Sequence, residues 1–159
     1  MNHGACTEMP GDEQYSVPIG GLFSYQMPVR WGDMDAMGHV NNTVYFRYFE
    51  EARVALLERM GLPFGAERGW VLAHASCDFL RPLLYPAHII VTLKLLRVGR
   101  SSMEHEVWIT LAEDAGSVLA RGRNVIVYVD QETGRSAALP ADASERLSTC
   151  FIVPSDGAS

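Results

Sequence analysis

Between Asn42 and Met60, the residues Tyr45, Tyr48, Phe49, Ala52, Leu56 and Met60 recur at the spacing of one helix face, while Arg47, Glu51, Glu58 and Arg59 fall elsewhere around it. No other segment keeps that period for so long. Asn41 or Asn42 offers a cap at its start, and Gly61 before Pro63 ends it, which predicts one helix of about five turns. Beyond Gly61 the period changes to two. Trp70 to Phe79, His88 to Val98, Met103 to Leu111 and Val118 to Asp130 read as strands, with turns at Gly99-Arg100, at Glu113-Asp114-Ala115-Gly116 and at Gln131-Glu132-Thr133-Gly134. A strand is also expected over Phe23 to Trp31, and a short helix around Ala141 to Leu147. One long helix ahead of an antiparallel meander is an α+β arrangement, and the helix is the cover for the sheet's apolar face.

A chain of 159 residues supports one domain with a real core rather than two. Its 48% hydrophobic and 20% charged content is that of a soluble globular protein, not of a disordered one. No apolar run approaches the ~20 residues of a membrane span. Residues 1–21 are rich in Gly, Pro and acids and hold neither Lys nor Arg, so they read as a flexible leader and not as a signal peptide. The domain is then expected over 22–150, with a polar tail over 151–159, and a cytoplasmic location is the simplest reading.

Cys6, Cys77 and Cys150 are widely spaced and odd in number, which reads as reduced thiols, Cys77 being an inert core thiol. A net charge of −6 argues against a general nucleic-acid binder, because such binding neutralises many phosphates. Every basic residue except Lys94 is an arginine, the side chain that grips phosphate through paired hydrogen bonds. His74, His88 and His105 lack metal-ligand spacing and read as ordinary strand or loop histidines.

Chemistry concentrates in Asp33-Met34-Asp35-Ala36-Met37-Gly38-His39-Val40-Asn41-Asn42-Thr43-Val44-Tyr45. A carboxylate handed to a glycine turn, directly before exposed helix N–H groups, sets a base beside an anion site. For an activated acyl group such as a thioester, Asp35 can attack or activate water, and the N–H groups near Asn41, Asn42 and Thr43 can hold the oxyanion. The leaving thiolate has a solution pKa near ~8.5, so little acid assistance is needed. Gly38 lets a substrate approach the backbone closely. Asp33 reads as a turn-forming acid, and Tyr45 as a core residue whose hydroxyl can reach the pocket.

The pattern Asp33-x-Asp35-x-x-Gly38-His39-Val40-Asn41-Asn42-x-x-Tyr45, with Glu50-Glu51-Ala52-Arg53 behind it, resembles the signature of hot-dog-fold acyl-CoA thioesterases of the 4-hydroxybenzoyl-CoA thioesterase superfamily. Phe79-Leu80-Arg81-Pro82-Leu83 with Tyr85-Pro86, and Arg97-Val98-Gly99-Arg100-Ser101-Ser102, are similar to its strand phrases, so the likeness covers residues 24–140. It implies a single hot-dog domain, a curved antiparallel sheet wrapped around the long helix, and thioester hydrolysis. Asp35 is implied as nucleophile or general base, and the backbone N–H near Asn42 as the group that polarises the thioester carbonyl. Self-association as a dimer or tetramer is implied, with the acyl channel between subunits, and no metal or redox cofactor.

The Asp-x-Asp-x-x-Gly half is shared with the benzoyl-type branch, while His-Val-Asn-Asn resembles long-chain acyl-CoA and plant acyl-carrier-protein thioesterases, so the thioester is one of CoA or of a carrier protein. His39 either orients the carboxylate or water, or fixes the turn. Glu50 is the rival base, since another branch uses a helix glutamate at similar spacing. Arg97, Arg100, Ser101 and Ser102 are candidates for the phosphates of CoA. The rival functions are a non-catalytic acyl-ligand binder of the same fold and a hydratase or dehydratase, whose Asp/His spacing differs.

Overall fold

The period-two segments pair into one antiparallel sheet in a computed structural model that describes residues 16–62, 65 and 67–155. Cys6, Pro63, most of the expected leader and the end of the tail (156–159) lie outside the described residues. The strands are β1 (Leu22–Pro28), β2 (Arg68–Phe79), β3 (His88–Val98), β4 (Ser102–Leu111) and β5 (Asp114–Asp130), and they lie in the order β1-β3-β4-β5-β2. The long helix α1 (Asn42–Arg59) covers one face, and α2 (Ala143–Cys150) follows the last strand.

Alternation decides which side chains meet the helix. Ile89, Val91, Leu93 and Leu95 on β3 and Met103, Val107 and Ile109 on β4 are buried, together with Phe49, Ala52 and Leu56 of α1. Burial of each such aliphatic or aromatic side chain contributes about 1.5–3 kcal/mol. Register shifts at Leu72/His74 and Leu95/Arg97 mark bulges, which bend and twist a sheet. The result is the curved sheet around one long helix that the sequence resemblance implies.

Some expected boundaries move. The first strand stops at Pro28, and Trp31 lies in a 3-10 turn, Trp31–Asp33, with 77% of its surface exposed. Proline has no N–H to donate, so pairing ends where Pro28 meets His88. β5 begins at Asp114, because Leu111 pairs with Asp114 and leaves Ala112-Glu113 as the link; sheet pairing overrides the turn-forming local composition. α2 starts later and runs longer than its period suggests, since Arg146 donates from Nη1 to the carbonyls of Met60 (2.9 Å) and Gly61 (3.2 Å) and pins it to the end of α1.

The chain adds to the core past α2. Phe151 is buried edge-on to Phe23, and Leu22 and Ile152 exchange backbone hydrogen bonds at 2.8 and 2.9 Å. That covers part of the β1 edge. The β2 edge is open, and it exposes Val71, Leu72, Phe79 and, just beyond, Leu80. Among the described residues no helix is long and apolar enough to cross a membrane.

Candidate active site

Met34 and Val40 pair across a small hairpin, and its turn carries most of the residues singled out in the sequence. Asp35 N–H donates to the His39 carbonyl (2.8 Å), and Gly38 N–H to the Asp35 carbonyl (3.1 Å). Gly38 sits at φ +77°, the left-handed region that closes such a turn and favours glycine. Val40 N–H donates to the Leu83 carbonyl and Asn41 N–H to that of Asp33, both at 2.9 Å, which ties the hairpin to the β2–β3 link and to its own base.

The two aspartates are held differently. Asp33 Oδ2 accepts from Arg30 N–H (2.9 Å) and from the Tyr48 hydroxyl (2.7 Å). Burial, and then the hydrogen bond to that carboxylate, push the Tyr48 phenol far above the usual tyrosine range. Asp35 Oδ1 accepts from Met37 N–H (2.8 Å) and, more distantly, from His39 N–H (3.4 Å), while Oδ2 has no hydrogen-bond partner among the described residues. One oxygen of Asp35 braces the turn; the other is free.

At the helix start, Asn41 Oδ1 accepts from Thr43 N–H (2.9 Å) and from the Thr43 hydroxyl (2.6 Å), so Asn41 is the cap. Asn42, the first helical residue, keeps an N–H with no acceptor among the described residues. It is one of the orphan donors that a helix presents to anions. The hairpin therefore offers a half-free carboxylate and an unspent N–H on its two arms. His39 contributes through its backbone, and its exposed ring makes no hydrogen bond among the described residues.

Tyr45 is buried edge-on to Phe79 at 5.0 Å, and burial raises its phenol, an effect opposed by a hydrogen bond from the Leu83 backbone. Cys77 lies on the same strand, its thiol pushed up to about 11 by burial and by neighbouring Asp78, so it stays protonated at neutral pH. Glu50 is exposed on α1, eight residues past Asn42, or ~12 Å along the axis. Arg97, Arg100, Ser101 and Ser102 cluster at the β3–β4 turn. The hairpin lies beyond the other end of β3, next to His88, and Arg97 stands nine residue steps along the strand from His88, ~30 Å. Within one chain the structure does not bring them to Asp35.

Sequence reasoning passed over a polar group under the helix. Arg53 is 8% exposed beside Ala52 on the buried face of α1, and below it His105 of β4 and Asn124 of β5 pair across strands, both buried. His105 Nδ1 and Asn124 Oδ1 are 3.1 Å apart, and the His105 ring stacks on Phe151. Burial is the main cause that brings the His105 pKa down to about 4; the Asn124 bond opposes it and the Arg53 charge assists. The signal was parity, since His105 shares the alternate positions of Met103 and Val107, both inward. Among the described residues no group of three or more His, Cys, Asp and Glu side chains is placed to hold a metal.

Comparison with known proteins follows the same lines. The model of the thioesterase-like superfamily matches residues 29–147. The long-chain acyl-CoA thioesterase FadM of Escherichia coli (strain K12) is 30% identical over 131 residues, 77% of this chain and 94% of that protein. The 1,4-dihydroxy-2-naphthoyl-CoA hydrolase of Rippkaea orientalis is 28% identical over 120 residues, 72% of this chain and 87% of its own. Among solved structures, a candidate thioesterase from Pseudomonas aeruginosa superimposes with a TM-score of 0.72 at 40% identity, covering 74% of this chain and 92% of that one.

Proposed function

The chain belongs to the thioesterase-like superfamily and is a thioester hydrolase, and we propose that it cleaves acyl-CoA to the free acid and CoA, with Asp35 driving the attack and the Asn42 N–H holding the oxyanion. The observation that carries this reading is the free Oδ2 of Asp35 on a hairpin that also ends in the unspent N–H of Asn42. CoA is favoured over a carrier protein because FadM and the naphthoyl-CoA hydrolase are both named for CoA thioesters.

In this scheme Asp35 Oδ2 attacks the thioester carbon, or takes a proton from the water that does. The carbonyl oxygen becomes an oxyanion at the Asn42 N–H, and collapse of the tetrahedral centre expels the CoA thiolate. Direct attack leaves a mixed anhydride that water then hydrolyses, returning the carboxylate. Gly38 leaves the turn open to the acyl group, and the Tyr45–Phe79 pair lines the way inward. No metal or redox cofactor takes part. The open β2 edge, with Val71, Leu72, Phe79 and Leu80 exposed, is the surface for pairing with a second copy. Arg97, Arg100, Ser101 and Ser102 then serve the phosphates of CoA bound at a neighbouring copy's site.

Thiol release from octanoyl-CoA tests the reading. Asp35→Asn should lower kcat by about 10² or more, while Glu50→Gln keeps most of the turnover. Retained steady-state turnover in Asp35→Asn, or loss confined to Glu50→Gln, overturns the assignment. The same assay with an octanoyl carrier protein decides between the two thiol carriers.

A further inference from the structure

Arg53 is buried, and the charge that bears on it among the described residues is that of Glu50, three residues earlier on α1, which opposes the effect of burial. Among the described residues no carboxylate lies within 4.0 Å of its guanidinium and no hydrogen bond engages it; the ion pairs formed are Arg68–Asp130, Arg121–Glu106, Arg123–Glu104 and Arg146–Asp142. Partial burial of a guanidinium that makes no hydrogen bond is costly, and an anion that reaches it from the cavity offsets that cost. Arg53 lines a cavity of about 90 Å³ with Glu50, Leu57, Trp70, Leu72 and Ile126, in the seam between α1 and β2. Since a water occupies ~30 Å³ of liquid, this is room for a small terminal group and not for a whole acyl chain.

The surroundings are short of acceptors too. Among the described residues Trp70 Nε1 is buried with no partner, and so is Asn124 Nδ2, two residues from Ile126 on the same face of β5. An amide oxygen only accepts, so His105 Nδ1 carries the proton donated to Asn124, and His105 Nε2 is left as a bare, unpartnered nitrogen. Glu50 lines the cavity and its charge acts on Arg53, but it is exposed and stands beyond ion-pair distance, so an incoming carboxylate competes with it. Asn42, to which the proposed function assigns the oxyanion, and Arg53 are eleven residues apart on α1, ~16 Å along its axis.

We propose that this cavity receives a carboxylate at the far end of the acyl group, held by Arg53, so that the enzyme selects CoA thioesters of dicarboxylic acids. The inference rests on the thioesterase reading and names its substrate class. A carboxylate answers both demands of the site, because it is charged at neutral pH and its two oxygens match the guanidinium fork. A phenol hydroxyl is neutral there and answers only one.

The test compares suberyl-CoA with octanoyl-CoA, and 4-hydroxybenzoyl-CoA with benzoyl-CoA, in the wild-type protein, Arg53→Gln, Arg53→Lys and Glu50→Gln. Suberyl-CoA should exceed octanoyl-CoA in kcat/KM by roughly 10- to 100-fold. The advantage should reside in KM, collapse in Arg53→Gln, survive in part in Arg53→Lys and grow in Glu50→Gln as the competing carboxylate is removed. A wild-type ratio near one, a ratio unchanged in Arg53→Gln, or an Arg53-dependent preference for the hydroxybenzoyl member alone overturns the proposal. Should Arg53→Gln fail to fold, thermal stabilisation of the wild-type protein by suberate against octanoate decides the same point: selective stabilisation supports it and equal effects refute it. Octanoyl-CoA turnover in Asp35→Asn reports on the underlying hydrolase reading independently of any of these ratios.

Discussion

Tyr48 donates its hydroxyl hydrogen to Asp33 Oδ2 at 2.7 Å, and this bond separates the roles of two aspartates that stand one residue apart in the chain. Asp33 is spent on the helix and on the turn at Arg30, whereas Asp35 keeps one oxygen without a partner among the described residues. Tyr48→Phe removes the donor from a charged acceptor and should cost about 1.5–3 kcal/mol of stability. It should leave the order of magnitude of kcat in place. Asp35→Asn should do the reverse, so paired urea titrations and kcat measurements on the two variants check the division; a Tyr48→Phe protein with wild-type stability but lost turnover contradicts it.

What could be read in advance follows from where the information lies. The start of α1 is a local matter: an Asn cap and an apolar period that Gly61 breaks, and Asn42–Arg59 appeared within a residue of the expected span. The start of β5 is not local, because the Leu111 pairing that recruits Asp114 lies on another strand. Arg53 was visible in the sequence only as part of an acidic-to-basic phrase. Its burial depends on His105 and Asn124, which lie on β4 and β5, more than fifty residues further along the chain. The placement of Arg97 and Arg100 far from Asp35 follows likewise from strand direction, which a motif does not encode.

Gly122 is where β5 comes closest to β2. A Cβ there would stand 1.9 Å from the Ser76 carbonyl oxygen and 2.9 Å from its carbon, both backbone atoms with no freedom to turn aside. Gly122→Ala should cost about 2–3 kcal/mol or more, the upper part of the usual range for overpacking and beyond. Because the strain falls on the outermost strand, hydrogen exchange should rise first in Arg68–Phe79. A denaturation midpoint unchanged from wild type refutes this packing account.

His105 makes stability pH-dependent in a definite sense. Its pKa falls from 6.5 to about 4 on folding, chiefly through burial, helped by Arg53 from α1 and opposed by Asn124. Between these values the unfolded chain binds a proton that the folded one refuses, so stability is complete above 6.5 and declines as pH drops toward 4. The decline amounts to about 3 kcal/mol at 1.36 kcal/mol per unit. Carboxylates titrate over part of the same window, so the readout is the difference in slope of unfolding free energy against pH between wild type and His105→Gln. Equal slopes from pH 4 to 6.5 would show that the ring is not held neutral.

Gly38 allows backbone and substrate effects to be separated. At φ +77° an L side chain is strained, yet nothing lies within 4 Å of the position its Cβ would take. Gly38→Ala should therefore cost only the conformational term, about 1–2 kcal/mol, since no neighbour has to move. Its effect on kcat/KM should be larger, because the new methyl projects into open space from the turn that carries Asp35, the residue proposed to drive the attack. Asn tolerates the left-handed region better than Ala, so Gly38→Asn should recover much of the stability while still placing a side chain on the turn. Thermal melts and kcat/KM on both variants separate the causes. Activity that returns with stability in Gly38→Asn means the turn conformation alone mattered, whereas activity that stays low identifies Gly38 as the opening through which the thioester reaches Asp35.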